Sequence, residues 1–290
     1  MITIFTPVYN RIKELSKLKS SIDKQTDHNF EWVIVDDGSN DGVENLVDEW
    51  CKEELGYTII FKRQNNQGKH IAHNLGVELS NFDWFICVDS DDMLKPNAVE
   101  IMNSDILTIN QNIPGVVYPR ENPNFSNDLE WSKIDNSYVD IIDLKEKYGI
   151  PESAILLNKK YILELLFPKL GDERFLPEGW LYQKLISKGK FLVHNKLFYS
   201  SIYLDSGLTN NIWKLWANNP KGILDILQEK YMVLKKYKFS RKWFCRVKCI
   251  MNINAICLET DEKIFETSPS KLLSVILFIP SVFIYLQRYK

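Results

Sequence analysis

Three carboxylates, Asp89, Asp91 and Asp92, crowd one short stretch, with Ser90 between the first two. Acids this close repel one another, and a divalent cation with oxygen ligands removes the repulsion. Mg²⁺ or Mn²⁺ suits such a site, because either ion takes a few carboxylates together with substrate phosphate oxygens. The competing reading is an acidic loop that caps the helix opening near Pro96. A second acidic pair, Asp36-Asp37, runs into the polar turn Gly38-Ser39-Asn40-Asp41-Gly42. Tyr9, beside Asn10 and Arg11, offers a ring that stacks on a nucleobase, and Asp37 offers an acceptor for an imide or amide N–H.

These groups follow apolar runs that read as strands. Trp84 to Val88 is a short buried run ending abruptly in the acids. Ile2 to Phe5 is a β-rich run that Pro7 and Asn10 end in a loop, before a helix with Leu15, Leu18 and Ile22 on one face. Glu31 to Val35 is a strand, followed by a helix to Glu54, and Tyr57 to Lys62 is a further strand. After the loop Gln64 to Lys69, a helix spans Ile71 to Ser80. Such alternation predicts an α/β fold, a mainly parallel sheet with helices on both faces. Ligands of open α/β sheets bind outside the carboxyl ends of the strands, where Tyr9, Asp37 and Asp89 fall. A GxGxxG fingerprint and a P-loop are both missing.

The 290 residues suffice for one large α/β domain with an appendage. A net charge of −2 gives no argument for nucleic acid, which is not expected as a partner. Five cysteines without metal or disulfide spacing read as reduced thiols of a cytosolic protein. Met1 leads straight into a strand, so no signal peptide is expected. No apolar run reaches the ~20 residues of a spanning helix.

In order and spacing, TPVYNR, VIVDDGSND, NQGKHIAHNLG and FICVDSDDMLKP resemble a family 2 glycosyltransferase of the GT-A fold, across roughly the first hundred residues. The resemblance implies a nucleotide-sugar donor, usually UDP-linked, with Pro7 and Tyr9 around the base and Asp37 on its hydrogen-bonding edge. It places Arg11, Gly68 and Lys69 near the nucleotide or its phosphates. Asp89, Ser90 and Asp91 would hold the donor's ribose and diphosphate, and Asp91 and Asp92 the metal, Mn²⁺ or Mg²⁺. Many members carry ARN where this chain has Ala72-His73-Asn74, so His73 stands in place of an arginine, and Lys69-His70 is expected to supply the positive charge. Gly171 to Trp180 resembles the region that supplies the catalytic base in capsule-type members, where an acid follows F-x-P before a helix. That match implies Glu178 as the base, with Asp172 and Glu173 behind it and Trp180 stacking on a sugar. An inverting transfer needs such a carboxylate to take the acceptor hydroxyl's proton.

Between these regions, Gly115 to Pro119 is a predicted strand, Glu121 to Tyr138 a surface loop, and Asn158 the cap of a helix from Lys159 to Phe167. Lys190 to Ser200 holds a strand or two. The 203–216 region, with Trp213 and Trp216, is expected to border the acceptor. Asn219 is expected to cap a helix with Pro220 in its first position. The expected division is 1–215 for the GT-A domain (1–110 nucleotide-binding, 111–215 acceptor and base) and 216–290 for a helical extension. In that extension Lys235 to Lys248 is basic and aromatic, and Leu272 to Leu286 is apolar. As one helix the latter extends about 23 Å, short of a bilayer core. This pattern suits a peripheral protein on the anionic cytoplasmic face of the cell membrane. The alternative is a basic helix packed on the main domain, with a C-terminal helix buried in a homodimer.

The resulting expectation is an inverting, metal-dependent transfer of sugar from a UDP-sugar to a hydroxyl of a lipid-linked cell-surface glycan. Two rivals stay open: a sugar nucleotidyltransferase, and a non-catalytic nucleotide-sugar-binding membrane scaffold.

Overall fold

The computed structural model describes residues 1–121, 128–201, 211–236 and 242–290. The turn-rich segment Tyr203 to Thr209, the centre of the Lys235–Lys248 run and part of the 121–138 loop lie outside the described residues. The chain divides into two compact units, Met1–Pro168 with Lys184–Leu204, and Lys169–Gln183 with Asp205–Lys290. The segment carrying Glu178 thus groups with the helical unit.

The first unit is built on β1 (Ile2–Val8), β2 (Phe30–Asp36), β3 (Thr58–Arg63) and β4 (Trp84–Cys87), parallel neighbours in the order β3-β2-β1-β4. Every residue of β1 and β2 is buried, as continuous apolar runs in a covered parallel sheet require. Helices α1 (Ile12–Ile22), α2 (Val43–Trp50) and α3 (Lys69–Leu79) connect the strands. Gly76 of α3 lets that helix approach β1, because a Cβ there would meet Phe5 Cδ2 at 2.3 Å. The chain runs outward from β1 to β3 and then returns to the other side of β1 as β4. The β1/β4 gap is therefore a switch point of the kind where ligands bind.

Pro7 lies inside β1, paired with Val35, and does not end the strand as its type suggested. Phe5 C=O faces β4 and accepts the Val88 N–H at 2.8 Å, whereas Val8 C=O faces β2 and accepts that of Asp37 at 2.8 Å. Alternation turns Pro7 toward β4, whose pairing with β1 has already stopped at Phe5↔Cys87. The donor that proline lacks is not needed there.

The sheet continues through β9 (Ala154–Asn158), β6 (Gly115–Tyr118), β10 (Phe191–Val193) and β8 (Tyr138–Val139). Strand β9 is antiparallel to both β4 and β6, so the sheet is mixed beyond the switch point. Helix α4 (Ala98–Thr108) follows the acidic loop, while α5 (Asp128–Ile134), α6 (Ile141–Glu146) and α7 (Lys159–Ile162) lie among the later strands. Asn158 caps α7 by accepting from the Lys160 N–H, but the helix stops at Ile162 instead of reaching Phe167. Asn74 of α3 takes both backbone groups of Phe167, at 2.8 Å each, and so diverts the chain. A second, small sheet has the order β5 (Met93–Leu94), β11 (Tyr199–Ser200), β7 (Arg120–Glu121).

The helical unit contains α9 (Ile212–Asn218), α10 (Pro220–Leu234), α11 (Lys242–Glu259), α12 (Ile264–Thr267), α13 (Lys271–Ile276) and α14 (Phe278–Tyr289). Helix α8 (Gly179–Leu185) bridges the segment boundary at Lys184. Ile223, Leu224, Leu227, Ile253 and Ile256 form the apolar centre of this unit. The apolar C-terminal stretch forms two helices broken at Leu277, because Pro280 cannot donate to the carbonyl four residues back and its ring crowds that turn. Among the described residues no helix is long and apolar enough to cross a membrane.

Candidate active site

The ends of β1 and β2 are stitched together. Asn10 adopts the left-handed region (φ 51°), and its N–H donates to Ser39 Oγ at 2.9 Å. The Asn40 N–H donates back to Asn10 Oδ1 at 2.9 Å, and the Ile12 N–H to Asp41 Oδ2 at 2.9 Å. These bonds set Tyr9 at the rim with 49% of its surface exposed, ready to stack.

Asp37 is buried, and its carboxylate gathers the loop that precedes α3. Oδ1 accepts from Gln64 Nε2 (2.7 Å) and the Gln67 N–H (2.8 Å), and Oδ2 from the Gly68 N–H (2.8 Å). Of about four lone-pair positions, three are taken, which leaves room on Oδ2 for one more donor such as a base imide. Gly68 has φ 93°, a conformation that L side chains rarely adopt, so glycine lets the loop turn into α3.

Lys69, the first residue of α3, places Nζ 2.6 Å from Asp89 Oδ1. His70 is buried, and burial pushes its pKa down to about 4, so it is neutral at pH 7 and supplies no charge. His73 packs edge-on against Phe5, Phe85 and Phe167, with ring centroids 5.6, 5.2 and 5.3 Å away. It belongs to the core, and Lys69 alone of this pattern carries charge to the acids.

Ser90 is buried beside the three acids. One carboxylate oxygen from each of Asp89, Asp91 and Asp92 lies within 4.8 Å of the others, a spacing that fits one divalent cation. Burial raises the pKa of Asp91 and Asp89 raises it further, while Arg11 and Lys69 pull it back. Burial also pushes Asp92 up to about 7 against the pull of Arg120. Arg120 keeps its charge: burial lowers its pKa, but Tyr199, Asp92, Asp89 and Glu152 together hold it above the ordinary value. The mutual repulsion that suggested a metal is thus partly offset by side-chain cations. Sequence reading missed Arg120 and Tyr199, which stand far from the acidic loop along the chain with no motif to mark them.

In the helical unit, Glu178 immediately precedes α8, and its Oε2 accepts from Tyr182 OH at 3.1 Å. Trp180 is buried with its indole N–H on Asp225 Oδ2 at 2.7 Å, so it is not the sugar platform its position suggested. Glu173 accepts the N–H groups of Lys221 (2.8 Å) and Gly222 (3.0 Å), and therefore caps α10. Asn219, the expected cap, instead accepts from the N–H groups of Arg174 (2.8 Å) and Phe175 (3.0 Å). Trp213 lies beneath the Arg288 guanidinium, 3.7 Å from its ring centre, and edge-on to Trp216.

A parallel sheet with carboxylates, cations and an exposed aromatic ring at its switch point has the arrangement of a GT-A transferase. The chain belongs to glycosyl transferase family 2, whose sequence profile matches residues 3–166, and it is a glycosyltransferase. It is 34% identical to an uncharacterized glycosyltransferase of Haemophilus influenzae, with 99% of each chain covered. It is 27% identical to the glycosyltransferase GlyA of Streptococcus pneumoniae over 80% of this chain, but that match spans only 34% of GlyA. The S. aureus TarS fragment 1–349, solved with UDP-GlcNAc, shares the fold with a TM-score of 0.58 and 14% identity, covering 99% of this chain and 89% of that fragment. The Pyrobaculum calidifontis mannosyltransferase PcManGT, solved with GDP-Man and Mn²⁺, has a TM-score of 0.57 and 12% identity, covering 97% and 79%. Family membership sets aside the nucleotidyltransferase reading.

Proposed function

We propose that the chain is an inverting, metal-dependent glycosyltransferase that moves a sugar from a UDP-linked donor to a hydroxyl of a lipid-linked cell-surface glycan. The observation that carries this reading is the convergence of Tyr9, Asp37, Lys69 and the Asp89–Asp92 loop at the carboxyl ends of β1, β2 and β4. Tyr9 stacks on the base beside Pro7, and the remaining lone pair of Asp37 accepts the base N–H. Gly68 keeps the backbone bare where the nucleotide approaches, and Arg11 and Lys69 attract the diphosphate. Asp89 and Ser90 face the ribose. Asp91 and Asp92 belong to the cation site, where Mn²⁺ or Mg²⁺ would stabilise the charge of the departing diphosphate. Glu178 takes the proton of the attacking hydroxyl. TarS with UDP-GlcNAc and PcManGT with GDP-Man and Mn²⁺ support a nucleotide-sugar donor and a cation.

Capsule or exopolysaccharide assembly at the cytoplasmic face of the membrane is the proposed setting. Its support is the apolar surface of α13 and α14, where Leu272, Val275, Ile276, Ile279 and Phe283 are each more than half exposed. Residues 271–290 carry Lys271, Arg288 and Lys290 and no acid, which suits an anionic leaflet.

The test is calorimetric titration of UDP and GDP, each with and without Mn²⁺, followed by transfer assays of Glu178→Gln. UDP binding that requires Mn²⁺, and loss of transfer by roughly 100-fold or more in the variant, is the expected result. Binding of neither nucleotide would refute the donor site. Undiminished transfer by Glu178→Gln would refute the base.

A further inference from the structure

We infer that Arg120 and Tyr199 are positioning residues that hold Asp92 as an internal anchor, so that Asp91 and not Asp92 presents its carboxylate to the cation. This assignment rests on the donor-site reading above. The Asp92 side chain is 2% exposed, whereas that of Asp89 is 29% exposed. Its Oδ2 accepts from Tyr199 OH at 2.7 Å and from an Arg120 Nη at 2.5 Å, which uses both lone pairs of that oxygen.

The anchor sits where the small sheet meets the acidic loop. Strand β5 starts directly after Asp92 and pairs with β11 through Tyr199↔Leu94. Strand β7 pairs with the other side of β11 through Tyr199↔Arg120. Tyr199 OH also accepts the Asp89 N–H at 3.3 Å, and the Asp92 N–H donates to Asp89 C=O at 3.0 Å. One phenol therefore ties both ends of the Asp89–Asp92 turn, with Asp91 between them. Arg120 is fixed as well: its guanidinium lies 4.7 Å from the Tyr199 ring centre, and its Nε–H bonds to Ser201 Oγ. A divalent ion bound directly by Asp92 would sit against this guanidinium, and like charges at that range repel. Among the described residues no such bonded cation is seen at Asp91, on which Arg11 and Lys69 act through their fields.

The test uses the full chain and reads Mn²⁺ binding directly, by electron paramagnetic resonance of the free ion, alongside calorimetry of UDP. Asp91→Asn is expected to weaken Mn²⁺ binding by roughly 100-fold or more, because the ligand charge is lost. Asp92→Asn alone leaves Arg120 unpaired and is also weakened. The double variant Asp92→Asn/Arg120→Gln rebuilds a neutral hydrogen-bonded pair and is expected to recover Mn²⁺ affinity to within about threefold of wild type. Tyr199→Phe keeps every charge and is expected to weaken Mn²⁺ binding about tenfold. A double variant as weak as Asp91→Asn would overturn the assignment by making Asp92 a direct ligand, as would wild-type Mn²⁺ affinity in Asp91→Asn or Tyr199→Phe. A wild-type protein whose UDP binding ignores Mn²⁺ would overturn the donor-site reading itself, and with it this assignment.

Discussion

Asp37 Oδ2 accepts the Gly68 N–H at 2.8 Å, which joins the end of β2 to the start of α3. With Gln64 and Gln67 on its other oxygen, the carboxylate is a buried knot as well as a candidate base contact. Asp37→Ala leaves these donors unpaired and is expected to cost about 3 kcal/mol of stability, read by urea denaturation. Asp37→Asn is expected to be little better. Its amide turns an N–H toward one of the donors it must satisfy.

His70 gives stability a pH dependence. Its pKa is about 4 in the fold against 6.5 for the ordinary side chain, so the unfolded chain binds the extra proton between those values. Stability contributed by the neutral ring is whole above 6.5 and falls as pH drops toward 4. Between pH 7 and pH 5 the loss from this group is about 2 kcal/mol. His70→Phe is expected to flatten that part of the profile, and an equally steep variant would show that another group titrates.

Gly76 faces Phe5 at a distance no Cβ tolerates, and Phe5 stacks in turn on Phe85 with centroids 5.3 Å apart. Gly76→Ala forces α3 off the sheet or Phe5 out of its stack, with an expected loss of about 1–3 kcal/mol. A paired Phe5→Leu change, which shortens the opposing side chain, is expected to return part of it.

The exposed face of α13 and α14 predicts a measurable affinity for anionic bilayers. Wild-type protein is expected to co-float with vesicles containing phosphatidylglycerol and to stay behind with pure phosphatidylcholine. Ile279→Glu/Phe283→Glu places two charges at the centre of that face and is expected to abolish flotation. Flotation unchanged by the pair would send the search for a membrane contact elsewhere.

What the sequence determined by itself is local. Apolar runs of strand length ending in polar turns are properties of neighbouring residues, so the β1–β4 order and the loops bearing Tyr9, Asp37 and Asp89 were legible. The family motifs supplied the rest of the first hundred residues. Tertiary structure decided what depends on partners distant in the chain. Asn74 stops α7 through Phe167, and Glu173 takes over the cap expected of Asn219. Burial neutralises His70, whose sequence neighbour Lys69 stays charged on Asp89. Pro7 remains within β1 because its missing donor faces the side where β4 has ended. Asp92 reads in sequence as one of three equivalent acids. Only the pairing of β11 with β5 on one side and β7 on the other brings Tyr199 and Arg120 onto its oxygen, because hydrogen bonds and charge act through space and not along the chain.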